Sequence, residues 1–244
     1  MASGRSVRVE PALQYLSQFD FRPLVVSLKT STTATLLVFT LGIGAAWKTM
    51  RLNERVKSWL DSVFTLPMVL PPTVVGYCLL VLFGRSTPVG NYLVEHGIRL
   101  VFSWPATVIA ATVVAFPLMY KTVRAAFEQV DPEMLDAART LGFSEWQVFR
   151  RITLPLSRSG VAAGTMLAFA RAMGEFGATL FVAGNLPGIT QTMPIAVYFS
   201  WAAGDLKTAG LWVGIIAAMS FAAILGINEY AARVGRERQD QACV

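Results

Sequence analysis

Five apolar stretches divide the chain into segments that can cross a membrane and segments that cannot. A helix needs about 20 mostly apolar residues to span the hydrocarbon core of a bilayer. The stretches that meet this requirement are residues 24–46, 59–83, 100–120, 160–183 and 208–230. Residues 192–203 are apolar but too short to cross, which favours a re-entrant or interfacial segment, and residues 89–98 favour a short surface helix. The pattern predicts an all-α integral membrane protein with about five transmembrane helices.

The composition agrees with this prediction. Hydrophobic residues make up 54% of the chain and charged residues 15%, and the mean hydropathy is +0.52. An ordinary soluble domain carries about 25% charged residues, because its surface must be covered by polar side chains. The composition therefore argues against a soluble enzyme, a disordered chain and a disulfide scaffold.

The positions of the basic residues predict an orientation. Of the 21 lysines and arginines, 13 lie on the side that holds the loop between spans three and four, and six lie on the other side. Because short cytoplasmic loops are rich in Lys and Arg, the N-terminus is expected outside and the C-terminus in the cytoplasm. The domain boundaries follow: an amphipathic or outer-side segment 1–22, a membrane domain 23–230 and a cytoplasmic tail 231–244.

The longest loop, residues 121–158, carries helix signals. Residues 131–133 read Asp-Pro-Glu, the arrangement of an N-cap followed by proline at the first helical position. Gly142 is placed to end this helix, and Ser144 can cap a second one over residues 145–151. The pattern predicts a cytoplasmic helical hairpin, which is either a plain surface element or a docking element for a partner.

This loop resembles the EAA signature of bacterial ABC-importer permeases, which reads Glu-Ala-Ala, three residues, Gly, nine residues and Ile-x-Leu-Pro. Every spacing is met, with an aspartate in place of the usual glutamate. The matching residues are Asp136, Ala137, Ala138, Gly142, Ile152, Leu154 and Pro155. The resemblance implies a type I ABC-importer permease fold in which a coupling helix, between the third and fourth spans, enters a cleft of a separate ATPase. It also implies that the ATPase approaches the small residues closely, and that Glu133, Asp136 and Arg139 supply polar contacts.

Other segments resemble molybdate permeases. They are residues 66–77, 169–179 and 183–194. Sulfate permeases share much of this pattern, in particular the Arg-x-x-Gly-Glu-Phe-Gly core that begins at Arg171. The resemblance therefore implies import of an oxyanion. Molybdate is the expected substrate, with tungstate as a further one, and a sulfate or thiosulfate permease is the alternative.

The same segments also suggest a pathway from their own chemistry. Prolines inside a span remove backbone donors and kink the helix, and a charged pair at mid-span must face protein or water. The pathway or gate candidates are Pro71, Pro72, Arg171, Met173, Gly174, Glu175, Phe176 and Gly177. Two alternatives stay open. The prolines could form a static kink, and the ion pair of Arg171 with Glu175 could fix helix packing without lining a pathway.

The expected partners follow from the resemblance and from what the chain lacks. It has no Gly-x-x-x-x-Gly-Lys-Ser/Thr loop, so ATP and Mg are expected on a partner ATPase, with no cofactor or metal in this chain. The resemblance implies a second copy of the chain, two ATPase subunits and a periplasmic molybdate-binding protein in a bacterial cytoplasmic membrane, without nucleic acid. An ion-coupled secondary transporter or a membrane enzyme is a weaker alternative, because neither coupling acids nor paired intramembrane carboxylates are visible.

Overall fold

The computed structural model describes residues 19–242, so nearly all of the predicted segment 1–22 lies outside the described residues. The described residues form helices and no strands. In order they are α1 (Arg22–Thr49), α2 (Glu54–Val69), α3 (Pro72–Phe83), α4 (Pro88–Glu95), α5 (Trp104–Glu128), α6 (Pro132–Thr140), α7 (Glu145–Val148), a π-helical segment (Phe149–Thr153), α8 (Leu154–Leu156), α9 (Arg158–Met173), α10 (Gly177–Ala183), α11 (Met193–Ala202) and α12 (Leu206–Ala242).

Three of these helices are long and apolar enough to cross a membrane: α1, α5 and the first part of α12, Leu206–Gly226. They correspond to the predicted first, third and fifth spans. Helix α5 extends to Glu128, into the region predicted to be loop, because residues 121–128 contain good helix formers and an i,i+4 ion pair between Arg124 and Glu128. The backbone of α12 likewise continues as helix through most of the predicted tail.

The predicted spans 59–83 and 160–183 are each formed by two helices separated by a break. Helices α2 and α3 meet at an angle of 110°, and α9 and α10 at 57°. The first break lies at Pro71, and Pro72 takes the first helical position of α3, where a missing N–H costs nothing. The second break, at Gly174, has no proline. Each pair is therefore a broken span or a re-entrant segment rather than one kinked helix.

The two predicted short elements are present. Helix α4 lies in the connection that leads to α5. Helix α11 is a ten-residue apolar helix, shorter than a crossing helix requires. Both agree with the apolar pattern along the chain.

The core lies where α1, α5 and α9 pack together, and small side chains allow this close approach. The buried residues of this cluster include Ala34, Val38, Ala111, Ala115, Met119, Tyr120, Val123, Phe127 and Ala168. A buried hydrogen bond joins two of these helices, because Thr30 Oγ1 on α1 lies 3.0 Å from Thr107 Oγ1 on α5. Gly42 allows α1 to approach α5 closely, because a Cβ there would lie 2.7 Å from Cγ of Met119.

The stability of this core gives the first prediction. Replacing Gly42 with Val should destabilise the protein by about 1–3 kcal/mol, because the added atoms force α1 and α5 apart. Gly44, on the same helix, has no atom within 4 Å of an added Cβ, so Gly44→Val serves as the matched control. Thermal unfolding of the detergent-solubilised protein should show a lower Tm for Gly42→Val only. Equal Tm values for both variants would contradict this packing.

Candidate functional site

The predicted hairpin begins with a capped helix and turns at a glycine. The carboxylate of Asp131 accepts a hydrogen bond from the backbone N–H of Glu133 at 2.9 Å. At the other end of α6, Gly142 has a φ of +83°, which glycine adopts without strain. The N–H groups of Gly142 and Phe143 donate to the carbonyls of Arg139 and Ala138 at 2.9 and 3.1 Å. This is a Schellman termination, so the predicted cap and turn are confirmed.

The second half of the hairpin begins with a capping box and runs on further than predicted. Ser144 N donates to the side chain of Gln147, and Gln147 N donates back to Ser144 Oγ. The predicted helix end at residue 151 is wrong, since the chain continues through the π-helical segment and α8. Pro155 has no N–H to donate to Arg151, and the wider π-helical turn just before it accommodates the loss.

Ion pairs join the hairpin to the connection between α1 and α2. The guanidinium of Arg139 lies 2.6 Å from Asp136 and 2.8 Å from Glu145, and Glu145 also pairs with Arg51 at 2.8 Å. The hydrogen bond from Arg139 holds the pKa of the Glu145 carboxyl below its usual range, so this carboxylate is ionised at neutral pH. Arg139, which we predicted to contact a partner, therefore also fixes α6 against α7.

Aromatic rings anchor the hairpin on the membrane helices. The ring of Trp47, near the end of α1, lies 5.4 Å from that of Trp146 and 4.8 Å from that of Phe149. Phe149 also meets Phe127, near the end of α5, at 5.7 Å. Rings at these separations attract each other. The hairpin thus stands on the ends of α1 and α5 rather than on a flexible linker.

The outer face of the hairpin is partly apolar. Met134 and Leu141 are 51% and 78% exposed, and neither was among the predicted coupling residues. The signal in the sequence was an apolar residue directly before the turn glycine in an otherwise charged loop. The predicted residues divide into two groups: Glu133, Asp136, Ala137, Arg139, Gly142 and Pro155 are exposed, whereas Ala138 is buried and Ile152 and Leu154 are half-buried. The exposed group is the one that a partner protein can contact.

The two broken spans meet at their breaks. A Cβ on Gly177 would lie 3.1 Å from Cβ of Pro72 and 3.2 Å from N of Thr73. One turn further, a Cβ on Gly76 would lie 2.7 Å from Cα of Ala178. The first turns of α3 and α10 therefore pack backbone to backbone. The structure brings together Pro72 and Gly177, two of the predicted pathway residues.

The mid-span pair is formed as the spacing predicted. Glu175 is 2% exposed, and its Oε2 lies 2.8 Å from Arg171 Nη1. Oε2 accepts no hydrogen bond from the described residues, so its contact with Arg171 is an ion pair at short distance. The other oxygen, Oε1, accepts a hydrogen bond from Ala178 N at 2.7 Å. Glu175 thus neutralises Arg171 and caps the first turn of α10.

The pathway or gate candidates Met173, Gly174 and Phe176 have different surroundings. Met173 is 7% exposed and packs with Met193 and Trp212 in the core. Phe176 is half-buried, and its ring lies 5.5 Å from that of Tyr198 on α11. Gly174 is exposed. Their role in a gate stays a prediction, with Phe176 and Gly174 on the accessible side. Within residues 19–242, no group of three or more His, Cys, Asp or Glu side chains could hold a metal ion.

Comparison with known proteins agrees with this geometry. Residues 39–231 match the family described as binding-protein-dependent transport system inner membrane component. The chain is 45% identical over 226 residues to the molybdenum transport system permease protein ModB of Escherichia coli, covering 91% of this chain and 98% of the relative. It is 36% identical over 190 residues to the sulfate transport system permease protein CysW of Synechocystis, covering 78% and 69%.

A solved structure has a similar fold. The chain superimposes with a TM-score of 0.75 and 18% sequence identity on a bacterial ABC transporter involved in the import of the acidic polysaccharide alginate, covering 92% of this chain and 83% of that chain. At this identity the similarity concerns the fold alone.

The ion pair at the second break gives a stability prediction. Glu175→Gln should destabilise the protein by about 1–3 kcal/mol, because it leaves the Arg171 charge unpaired in a partly buried place. The double variant Arg171→Gln with Glu175→Gln should recover part of this loss, since it removes the unpaired charge and keeps an acceptor for Ala178 N. Thermal unfolding of the wild type, of the single variants Glu175→Gln and Arg171→Gln, and of the double variant measures this coupling. Strictly additive losses would show that the pair contributes nothing.

Proposed function

The chain belongs to the family of binding-protein-dependent transport system inner membrane components, and from this premise we propose that it imports molybdate. It is a membrane-spanning permease subunit and not an enzyme, and its place is the inner membrane. The observation that carries the proposal is the capped hairpin on the ends of α1 and α5, together with the 45% identity to a molybdenum permease along nearly its whole length.

The proposed assembly contains two copies of this chain, two ATPase subunits that bind ATP and Mg, and a periplasmic molybdate-binding protein. The exposed face of the hairpin, with Leu141 at its turn, is the surface that we assign to the ATPase. Its rigid caps and its ion pair to Arg51 support this assignment, because a docking element must transmit force without bending. The excess of basic residues around the hairpin supports a cytoplasmic position for it.

The proposed mechanism is alternating access. Closure of the ATPase dimer would draw the two hairpins together, and each hairpin would move the membrane helices on which it stands. The broken spans α2–α3 and α9–α10 line the translocation pathway and rearrange during transport, because their breaks provide hinges within the membrane. The ATPase and the binding protein favour different states of these spans, and ATP hydrolysis drives the exchange between them.

A test of the substrate uses the purified complex in proteoliposomes with its binding protein. Molybdate-loaded binding protein should stimulate ATP hydrolysis and drive uptake of labelled molybdate, and tungstate-loaded protein tests a second tetrahedral oxyanion. Sulfate-loaded protein is the control. Stimulation by sulfate without stimulation by molybdate would contradict the proposal and favour a sulfate or thiosulfate permease.

Substitutions at Gly142 can distinguish two roles of this residue, which are to form the turn of the hairpin and to allow close approach of the ATPase. Gly142→Val should reduce uptake by about tenfold or more, because a β-branched residue strains a positive φ and misplaces the hairpin. Gly142→Asn is the matched variant, because asparagine tolerates this conformation. Uptake per inserted permease is the measurement. Activity retained by Asn alone assigns the glycine to the turn, and loss in both variants assigns it to close approach of the ATPase. Normal uptake by Gly142→Val would contradict the docking assignment.

A further inference from the structure

Helix α2 makes few buried contacts with the rest of the described chain. No residue of α2 is buried, and Trp59 and Val69 are 76% and 80% exposed. At its end the chain turns by 110° into α3, and α3 is fixed to α10 by the contact at Gly76. A helix with this little packing and a sharp bend at one end can move independently of α3.

One polar cluster ties α2 to α5. The carboxylate of Asp61 accepts hydrogen bonds from the Tyr120 hydroxyl and from the Arg124 guanidinium. One turn earlier on α2, Lys57 Nζ lies 3.3 Å from Glu128 Oε1. We call the contact among Asp61, Tyr120 and Arg124 the α2–α5 strut. It is reinforced by Phe64, whose ring lies 5.1 Å from that of Tyr120.

The strut is shielded from water on its α5 side. Tyr120 is 1% exposed, and the side chains of Arg124 and Asp61 are 18% and 29% exposed. The Tyr120 hydroxyl also lies 3.2 Å from Thr49 Oγ1 on α1. Charge-assisted hydrogen bonds in such a place are stronger than those on an open surface. The strut therefore connects α2 to the firmly packed α1 and α5 pair.

The strut lies next to the hairpin along the chain. Arg124 and Glu128 occupy the last turns of α5, and α6 begins at Pro132. Arg124 also holds Glu128 at 2.9 Å, so the same end of α5 supports both contacts with α2. Any displacement of the hairpin acts on this end of α5 first.

We propose that Asp61 is a positioning residue for transport: through Tyr120 and Arg124 it makes α2 follow α5 when the hairpin moves. The inference rests on the proposed function and adds the route by which hairpin movement reaches a pathway wall. Without the strut, ATP hydrolysis continues but α2 no longer moves with α5. Hydrolysis and transport then become uncoupled.

The experiment measures molybdate transported per ATP hydrolysed, in proteoliposomes that contain the complex and molybdate-loaded binding protein. Asp61→Asn should lower this ratio by about tenfold, as expected when a coupling contact is lost, while basal ATP hydrolysis stays within about twofold of the wild type. Asp61→Glu, which keeps the charge, should recover much of the ratio. Ser62→Ala, one residue away and exposed, is the control and should match the wild type.

Two further measurements guard against a variant that simply fails to fold. Tyr120→Phe removes only one hydroxyl and should lower the ratio by a smaller factor. A spin label at Ser58→Cys, with Cys78→Ala and Cys243→Ala, reports the distance between the two α2 helices of the dimer. This distance should change on ATP binding in the wild type and not in Asp61→Asn.

The outcomes separate the inference from the proposed function. A wild-type ratio and a wild-type distance change in Asp61→Asn would overturn the inference. Absence of molybdate transport by the wild-type complex would overturn the proposed function instead. In that case an ATP-dependent distance change that Asp61→Asn abolishes would still support the strut.

Discussion

The structure depends on the need to satisfy backbone polar groups where helices break inside an apolar region. In hydrocarbon an unpaired N–H or C=O costs several kcal/mol. The backbone groups freed where a helix breaks must therefore find hydrogen-bond partners nearby. At the first break, Pro71 and Pro72 have no N–H to satisfy, and Val74 N donates to the Pro71 carbonyl at 2.9 Å. At the second break, Gly174 N and Glu175 N donate to the carbonyls of Ala170 and Ala172.

The same need explains why Glu175 is buried. A free backbone donor remains at the start of α10, and one oxygen of Glu175 accepts from Ala178 N while the other faces Arg171. Glu175 therefore links the Arg171 side chain to the first turn of α10, and the three groups form one unit. The two breaks then pack against each other through Gly177 and Gly76, where any side chain would separate the backbones. The charged pair, the small residues and the bent helices are consequences of one constraint.

Local features were predictable from the sequence, and long-range ones were not. The capping of α6 by Asp131 and its termination at Gly142 depend on a few neighbouring residues, so sequence patterns were sufficient. The first break was foreseen only as a kink, because proline shows where a helix is interrupted but not the angle that packing on α10 imposes. The second break has no proline at all. The contacts of Glu145 with Arg51 and of Asp61 with Arg124 join residues far apart in sequence. The periodicity of apolar residues along the chain does not predict such contacts.

The distribution of ion pairs bears on how a permease can pass a doubly charged anion. A fixed, unpaired cation in the pathway would bind such an anion and slow its release. Here Arg171 is paired with Glu175, Arg124 with Asp61 and Glu128, and Arg139 with Asp136 and Glu145. These arginines therefore hold helices and the hairpin in place and offer little net charge to a passing anion. Three of the basic side chains that contribute to the net charge of +6 are thus neutralised by acidic neighbours, and they leave little charge that could hold the anion in place.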